Sequence, residues 1–320
     1  MLSDLIAPRA PAPGDGLRAY AGKTIAVTGA SGFIGGGIVD RLAAVDCRII
    51  RVARSEFGDP AAWRHAAEAD VVFHLAAQTS AAAAAQNSAE DFAANVAPLR
   101  ALLAACRERG RRPIVIFAGT VTQCGVAARL PVNEDTADEP VTVYDRHKLI
   151  AEQDLKRAAA EGAVRGTSLR LANVYGPGNG NRADRHILNR MIRTALSGDA
   201  LTVYGAGNFV RDYVFIDDVL DAFVMAATAI EQVNGRHFVI GSGRGTAIRD
   251  AFNLVSARVA AATGRRAPVV SARPPDSLSE IDQRHFVADS SRFAAATGWH
   301  AKWCLADGID RTIEVWRCES

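Results

Sequence analysis

The stretch that decides the fold is Ile25-Ala-Val-Thr-Gly-Ala-Ser-Gly-Phe-Ile-Gly35. It opens with an apolar run typical of a buried strand, and an apolar stripe at helical spacing begins at Ile38. Between them, Gly29, Gly32 and Gly35 follow a G-x-x-G-x-x-G spacing. A strand, a glycine turn and a helix in this order bind a dinucleotide, because the backbone approaches the pyrophosphate and the helix N-terminus faces its charge. The alternative is a glycine turn that only connects two elements.

The composition fits a cofactor domain plus a smaller second domain. Nearly half of the 320 residues are apolar (49%), and 37 basic against 35 acidic residues give a net charge of +2. This balance favours neither nucleic acid nor a membrane surface as a partner, and no apolar run approaches a membrane span. Five scattered cysteines without a C-x-x-C pair indicate reduced thiols and a cytoplasmic location. Residues 1–21, rich in Ala, Pro and Gly, are interpreted as a flexible or surface-wrapping arm, or one that packs on a partner.

Apolar runs alternate with helical patterns through the first half of the chain. The predicted strands after the first are residues 47–53, 70–77, 113–118 and 167–171, with one long helix predicted over 89–109. This alternation predicts an α/β fold of the Rossmann type, with a doubly wound parallel sheet covered by helices on both faces. Beyond Gly178 the elements are shorter, which indicates a smaller mixed α/β domain; a loop is predicted at 179–181, and helices at 184–197 and 248–263.

The end of the second strand bears on cofactor choice. A fold that prefers NAD usually has an acid there for the ribose 2′-hydroxyl, whereas this chain has Ala53, Arg54 and Ser55. A small residue followed by Arg suits a 2′-phosphate and modestly favours NADP. The alternative is that Arg54 is only a solvated charge and NAD binds without the acid. Asp59 is predicted beside the adenine, and His74 is interpreted as a core histidine rather than a metal ligand.

A second pattern is Tyr144-x-x-x-Lys148, which places both side chains on one face of a predicted helix. This spacing is common by chance. It gains weight because Thr120 ends a predicted strand earlier in the chain and the glycine turn precedes both.

Taken together, these motifs resemble the extended short-chain dehydrogenases/reductases of the nucleotide-sugar epimerase/dehydratase family. The resemblance covers about residues 22–316, and its pieces are Thr28-Gly-Ala-Ser-Gly-Phe-Ile-Gly35, His74-Leu-Ala-Ala77, Thr120, Tyr144-x-x-x-Lys148, Leu169-Arg-Leu-Ala-Asn-Val-Tyr-Gly-Pro177, Val203-Tyr-Gly-Ala-Gly207, Arg211-Asp-Tyr-Val-Phe-Ile-Asp-Asp218 and Thr297-Gly-Trp299. It implies that residues 22–177 plus 209–241 bind the nicotinamide cofactor and residues 178–208 plus 242–320 bind a nucleotide sugar. It also implies a homodimer built on a four-helix contact.

The resemblance assigns a role to each matching residue. Tyr144 would be the acid/base, Lys148 would lower its pKa and hold the nicotinamide ribose, and Thr120 would orient the sugar oxygen. Arg211 would hold the diphosphate, unless it forms a salt bridge with Asp212 or Asp217. The cofactor-binding residues expected besides Tyr144 and Lys148 are Gly29, Ser31, Gly32, Phe33, Ile34, Gly35, Arg54, Ser55, Asp59, Leu75, Ala76 and Ala77. The substrate-binding residues expected besides Arg211 are Gln78, Thr79, Thr122, Asn173, Val203, Tyr204 and Arg273, with Arg284 as an alternative to Arg273 for a second phosphate contact.

The residues after Thr120 bear on the reaction. Family dehydratases and decarboxylases resemble one another in carrying an acid there, and Thr120-Val-Thr122 has none, so elimination is disfavoured. Thr122 resembles the pattern of C4 epimerases, which oxidise C4 and return the hydride to the other face of a 4-keto sugar. The alternative is an NADPH-dependent reductase of a 4-keto-deoxy sugar, which Arg54 favours. A third hypothesis is a non-catalytic nucleotide-binding protein.

Three departures from the family pattern affect these expectations. Cys124 replaces the usual Tyr, His147 replaces the small residue before Lys148, and three consecutive glycines from Gly35 are expected to weaken the first helix.

Overall fold

The computed structural model describes residues 15–178, 186–274 and 280–318. The first fourteen residues of the predicted arm and the predicted loop 179–181 lie outside these ranges. Within them the strands are β1 (Thr24–Thr28), β2 (Arg48–Val52), β3 (Val71–His74), β4 (Ile114–Thr120), β5 (Arg165–Leu171), β6 (Asn173–Tyr175), β7 (Leu201–Tyr204), β8 (Val210–Phe215), β9 (His237–Ile240), β10 (Gly245–Ala247) and β11 (Val269–Ala272).

Helices connect these strands in the alternating order that the sequence predicts. They are α1 (Asp15–Arg18), α2 (Phe33–Leu42), α3 (Pro60–Ala66), α4 (Ala81–Gln86), α5 (Ser88–Asn95), α6 (Ala97–Arg109), α7 (Val143–Ala160), α8 (Ile187–Leu196), α9 (Ile216–Thr228), α10 (Ile230–Val233), α11 (Ile248–Thr263), α12 (Ser291–Thr297) and α13 (Leu305–Cys318), with short 3₁₀ turns at Arg54–Glu56, Val121–Cys124 and Glu280–Gln283. No helix in the described ranges is long and apolar enough to cross a bilayer.

A parallel six-stranded sheet, in the order β2-β1-β3-β4-β5-β9, forms the centre of the molecule. Alternate residues of each strand face opposite sides. Ala26, Val72 and Val115 pack into one core with Trp63 and residues of α6 and α7. Their strand neighbours, among them Val27, Phe73 and Ile116, pack into the other core with α2 and α9. Helices therefore cover both faces, and the predicted α/β fold with a parallel Rossmann-type sheet is confirmed.

Two smaller sheets lie beyond the central one. Strands β6 and β8 pair in parallel, and β10 joins β8 antiparallel. Strand β11 pairs with β7 in parallel. The sheet β6-β8-β10 crosses the expected domain boundary, because β6 and β8 fall in the segments expected to bind cofactor and β10 falls in the segment expected to bind the sugar. The division into two domains stays a prediction.

The predicted long helix over 89–109 is wrong in one respect, because it is two helices. Helix α5 ends at Asn95 and α6 begins at Ala97, with Val96 between them at φ −113° and ψ −53°. Pro98 stands in the first turn of α6. A proline lacks the N–H that a continuous helix would need there, and it is tolerated at a helix start.

The last residues of the predicted arm are packed on the core. Tyr20 is 2% exposed, its hydroxyl donates to the Val224 carbonyl at 3.0 Å, and its ring lies 6.2 Å from that of Phe73. The described part of the arm therefore packs against α9.

Candidate active site

The glycine turn brings the first strand against the third. Gly29 has φ +68°, and a Cβ built on it would lie 2.8 Å from the Ala76 nitrogen. A Cβ on Gly35 would lie 2.1 Å from the Gly29 carbonyl oxygen, and one on Gly37 would meet Leu220 at 2.7 Å. Close packing therefore requires glycines here, which explains the run that was expected only to weaken α2.

A cavity of about 760 Å³ opens over this turn and the N-terminus of α2. Its volume is typical of a small-molecule site. The predicted cofactor-binding residues that line it are Gly29, Ser31, Gly32, Phe33, Ile34, Gly35, Arg54, Ser55, Leu75, Ala76 and Ala77, together with Thr79, which was predicted to contact substrate. Backbone N–H groups at a helix N-terminus, beside glycines that add no side chain of their own, fit the pyrophosphate of a dinucleotide.

Among the lining residues that the sequence did not predict, Arg51, Phe57 and His186 have charged or aromatic side chains. Arg51 lies on β2, three residues before Arg54, so the strand-end pattern contained its signal. His186 comes from a distant part of the chain, and its ring packs 4.7 Å from that of Phe33. Asp59 does not line the cavity. Its carboxylate accepts the Ala61 N–H at 2.8 Å and caps α3, so its position gives no support to the expected adenine contact.

Tyr144 and Lys148 lie on consecutive turns of α7, beyond the lining of this cavity. The Lys148 side chain is 2% exposed, and its ammonium nitrogen lies 4.1 Å from the centre of the Phe117 ring. Phe117 in turn stacks on His74 at 6.0 Å. His74 is 1% exposed; burial, with a contribution from Lys148, lowers its pKa to about 3, so it is a neutral core residue, as expected.

Burial governs the charge of Tyr144 and Lys148. Desolvation raises the pKa of the Tyr144 phenol above its ordinary value, and the carboxylates of Asp145 and Asp91 raise it further. The lowering of this pKa by Lys148 that the family resemblance implies stays a prediction. Desolvation lowers the pKa of Lys148 to about 7, against the opposing charges of Asp91 and Glu152.

Thr120 ends β4, and a buried polar network holds it in place. Its backbone N–H donates to Gln123 Oε1 at 2.9 Å, and Gln123 Nε2 donates to Glu152 at 3.0 Å. Glu152 also binds both the Nε and an Nη of Arg170. Glu152 and Arg170 are 0% and 2% exposed. This buried ion pair holds the end of β4 in place through the side-chain amide of Gln123.

The fold brings the carboxylate of Asp145 close to Thr120, a proximity that the sequence did not predict. Thr120 Oγ1 lies 2.9 Å from Thr122 Oγ1, and Thr122 Oγ1 donates to Asp145. Asp145, 1% exposed, also accepts the Thr142 N–H at 3.1 Å as part of a capping box that begins α7. Threonine three residues before Asp145 signals the cap, but nothing local signals the contact with Thr122.

Gln78 belongs to a second missed network. Its amide donates to Asp91 at 2.8 Å, and Asp91 also accepts from Asn95 at 2.9 Å and contacts His147 Nδ1 at 2.7 Å. His147, a departure from the family pattern, therefore ties α7 to α5 below the loop that holds Gln78.

Arg211 and Arg284 are brought together in the region expected to bind substrate. They are 6% and 8% exposed, and Arg211 donates to the Arg284 carbonyl and, at 2.6 Å, to the Asp282 carbonyl. Burial and Arg211 lower the pKa of Arg284 to about 10, and its Nε has no hydrogen-bond partner in the described part of the chain.

The salt bridge considered as an alternative for Arg211 is not formed. Asp212 accepts from Ser242, Gly243 and Ala288, and Asp217 pairs with Arg41. Neither carboxylate considered as a partner for Arg211 therefore pairs with it.

The remaining predicted substrate residues are spread over the smaller sheets. Asn173 begins β6 and is half-buried, Val203 on β7 is buried, and the neighbouring Tyr204 is 48% exposed. Arg273 is exposed just after β11. In the described ranges, no group of three or more His, Cys, Asp or Glu side chains is placed to hold a metal ion.

A glycine turn at a helix N-terminus, a parallel sheet, Thr120 at the end of β4, and Tyr144 and Lys148 on α7 define an enzyme of the extended short-chain dehydrogenase/reductase class, with a nicotinamide cofactor. The family model "NAD dependent epimerase/dehydratase family" matches residues 25–241. The chain belongs to this family, as its motifs predicted.

Known proteins similar to the chain agree with this assignment. It is 29% identical over 318 residues to a UDP-glucose 4-epimerase of Mycolicibacterium smegmatis, covering 92% of this chain and 98% of that protein. Its structure resembles the UDP-glucose complex of the UDP-glucose 4-epimerase of Thermotoga maritima, with a TM-score of 0.83, 28% identity, and 92% and 99% of the two chains covered. It also resembles the NAD complex of the Brucella ovis UDP-glucose 4-epimerase, with a TM-score of 0.80, 26% identity, and 92% and 98% covered.

Proposed function

We propose that the protein is a nucleotide-sugar C4 epimerase that acts through a transient 4-keto sugar. The observation that carries this proposal is the end of β4. Thr120 and Thr122 are half-buried there, and none of the three residues after Thr120 is acidic. The carboxylate that the fold brings there, Asp145, is 1% exposed and engaged by Thr122 and Thr142. An elimination needs an exposed acid or base beside the second carbon, so epimerisation is the better fit.

The proposed site lies where residues 22–177 plus 209–241, which would hold the cofactor, meet residues 178–208 plus 242–320, which would hold the sugar. When bound, the nicotinamide accepts a hydride from C4 and returns it. Tyr144 exchanges a proton with the C4 oxygen, Lys148 holds the nicotinamide ribose, and Thr120 contacts the C4 oxygen. The expected cofactor-binding residues that line the cavity over the glycine turn support this arrangement, whereas Asp59, Tyr144 and Lys148 do not line it.

The buried arginines are proposed to bind the diphosphate of the substrate. Arg211 and Arg284 are two guanidinium groups with no carboxylate hydrogen-bonded to either in the described ranges, and a guanidinium matches phosphate oxygens. The sequence left the second contact open between Arg273 and Arg284, and burial beside Arg211 favours Arg284. Gln78, Thr79, Thr122, Asn173, Val203 and Tyr204 are proposed to contact the sugar and the nucleoside.

A 4-ketoreductase is the second candidate, and the end of β2 favours it. Arg51, Arg54 and Ser55 line the cavity, and none of the described residues that line it is an acid. Two cations and a hydroxyl suit the 2′-phosphate of NADP, the usual cofactor of a reductase. The preference for NADP is itself part of the proposal.

The test is to incubate the purified protein with a panel of UDP- and dTDP-hexoses and nucleotide 4-keto sugars, with NADPH, NADH or neither. The epimerase proposal predicts interconversion of C4 epimers by chromatography with no net change in the absorbance of reduced nicotinamide. Stoichiometric loss of NADPH with a 4-keto sugar, and no epimerisation, would instead establish the reductase.

A further inference from the structure

We propose that Asp145 is the far end of a proton path, Thr120–Thr122–Asp145, which takes up the proton of the sugar's reacting hydroxyl during oxidation and returns it during reduction. This inference rests on the proposed function and adds to Tyr144 a second partner for that proton.

The direction of the hydrogen bonds follows from the number of protons available. A carboxylate only accepts, so the Thr122 hydroxyl donates its one proton to Asp145. Thr122 then has no proton for Thr120, and in the 2.9 Å contact between the two hydroxyls Thr120 must donate. Thr120 Oγ1 also accepts the Thr122 N–H at 3.3 Å. Only a lone pair of Thr120 is left for the substrate.

A lone pair on Thr120 suits the alcohol and not the ketone. The sugar hydroxyl donates to Thr120, while a ketone oxygen beside the same lone pair has no donor from this side.

Proton transfer along the path reverses the direction of its hydrogen bonds. As the C4–H bond breaks and its electron pair leaves as hydride to the oxidised cofactor, the hydroxyl proton passes to Thr120, the Thr120 proton to Thr122, and the Thr122 proton to Asp145. The electron pair of the O–H bond becomes the second bond of the ketone. Asp145 is then a neutral acid, and Thr120 now donates to the ketone oxygen. Return of the hydride runs the same steps backwards.

Asp145 also caps α7, so its replacement has to separate the two roles. Asp145→Asn keeps an oxygen for the Thr142 N–H but presents an amide N–H₂ to Thr122 and cannot accept the relayed proton. Thr122→Val cuts the path and leaves the cap, whereas Thr122→Ser retains a hydroxyl. Thr142→Ala removes the hydroxyl that caps Asp145 N–H and leaves the path intact, which makes it the matched control.

The experiment measures turnover of the full-length enzyme in mixtures of H₂O and D₂O. The path predicts a curved dependence on deuterium fraction, because several protons move together. Asp145→Asn and Thr122→Val should lower kcat by roughly ten- to a hundredfold, at or below the low end for a positioned proton-transfer group, and should straighten the curve. Thr122→Ser should restore both rate and curvature. Thr142→Ala should lower the melting temperature and keep the curve.

A second readout does not depend on turnover. Difference infrared spectra of the protein with a nucleotide 4-keto sugar should show the carbonyl band of a protonated carboxylic acid, present in Thr142→Ala and absent from Asp145→Asn. A curve that stays unchanged in Asp145→Asn, or a carboxylic-acid band that persists in it, would overturn the path and leave the proposed function standing. If the wild-type enzyme neither turns over nor binds any nucleotide sugar, the proposed function fails, and the inference fails with it.

Discussion

At the scale of single residues, Tyr144 and Lys148 differ most from what their spacing suggests. The pattern correctly put both on one helix, but their charge depends on what surrounds them. Asp91 on α5 and Phe117 on β4 come from other elements, and burial dominates both pKa values. Sequence spacing contains no information on desolvation, so it predicted that the two residues share a helix and could not predict how burial shifts either pKa.

Replacing Tyr144 with Phe should leave cofactor affinity nearly unchanged and lower kcat by about a hundredfold or more, since a positioned acid/base contributes on this scale. Calorimetric titration with NADP and a turnover assay would check both halves. Near-normal turnover of this variant would remove Tyr144 from the proposed chemistry.

Arg54→Ala should weaken NADP binding by about tenfold or more while changing NAD affinity little, because a charge-assisted contact to the 2′-phosphate is worth about 1.5–3 kcal/mol. Arg51→Ala removes the neighbouring cation of the same cavity, and its effect on the affinities for NADP and NAD can be compared with that of Arg54→Ala. Equal losses for the two dinucleotides would make Arg54 a surface charge, the alternative that the sequence left open.

At the scale of elements, order and type were predictable, and boundaries were less so. Helix α11 begins and ends where its pattern predicts, because its apolar stripe and the following Gly264 are local signals. The sequence pattern did not predict the break between α5 and α6, although Pro98 is a local signal of a helix start there. The pairing of β8 with β10 and the contact of Thr122 with Asp145 join distant segments, and no local pattern encodes them.

The glycine turn gives a matched pair of variants. Gly35→Ala places a Cβ against the Gly29 carbonyl oxygen and should abolish dinucleotide binding or lower the melting temperature strongly. Gly58→Ala, where a Cβ meets nothing within 4 Å, should change neither. Dinucleotide titration and thermal unfolding would decide, and a fully functional Gly35→Ala protein would contradict the packing of the turn.

The buried pair Glu152–Arg170 should stabilise the fold in a pH-dependent way. Burial alone would raise the pKa of Glu152, but Arg170, with His237 and Lys156, holds it well below its ordinary value. Its contribution is therefore fully present above the unfolded pKa of about 4.3 and is lost as pH falls towards the lower folded pKa. Glu152→Gln should cost about 2 kcal/mol at neutral pH, because Asp138 still pairs with Arg170.

The control for this variant is Glu161→Gln, which breaks an exposed pair with Arg107 and should cost at most about 0.5 kcal/mol. Urea unfolding at neutral and acidic pH would measure both. Equal losses, or a Glu152→Gln loss that persists unchanged below pH 4, would contradict the role given to the buried pair.

At the scale of the whole molecule, the homodimer remains a prediction. Helix α7 exposes Arg146, Gln153 and Arg157 on its outer face, with Leu149 and Ile150 half-buried between them. Light scattering should give the mass of a dimer for the wild-type chain and of a monomer for Leu149→Lys. Leu130→Lys, at a site 43% exposed and outside these helices, should stay dimeric. A monomeric wild-type protein would rule out the four-helix contact.

Because distant segments of the chain pair in one sheet and fill one core, the order of synthesis affects how the protein folds. The glycine turn and its first strands are complete early in synthesis, yet β8 lacks its partner until β10 leaves the ribosome, and Trp299, Ile309 and Trp316 fill the same core as β1. A nascent chain therefore keeps one apolar face of its first sheet incompletely covered until its last helix emerges. We expect such intermediates to be clients of chaperones, and fragments cut in the middle of the chain to aggregate rather than fold as a separate cofactor-binding half.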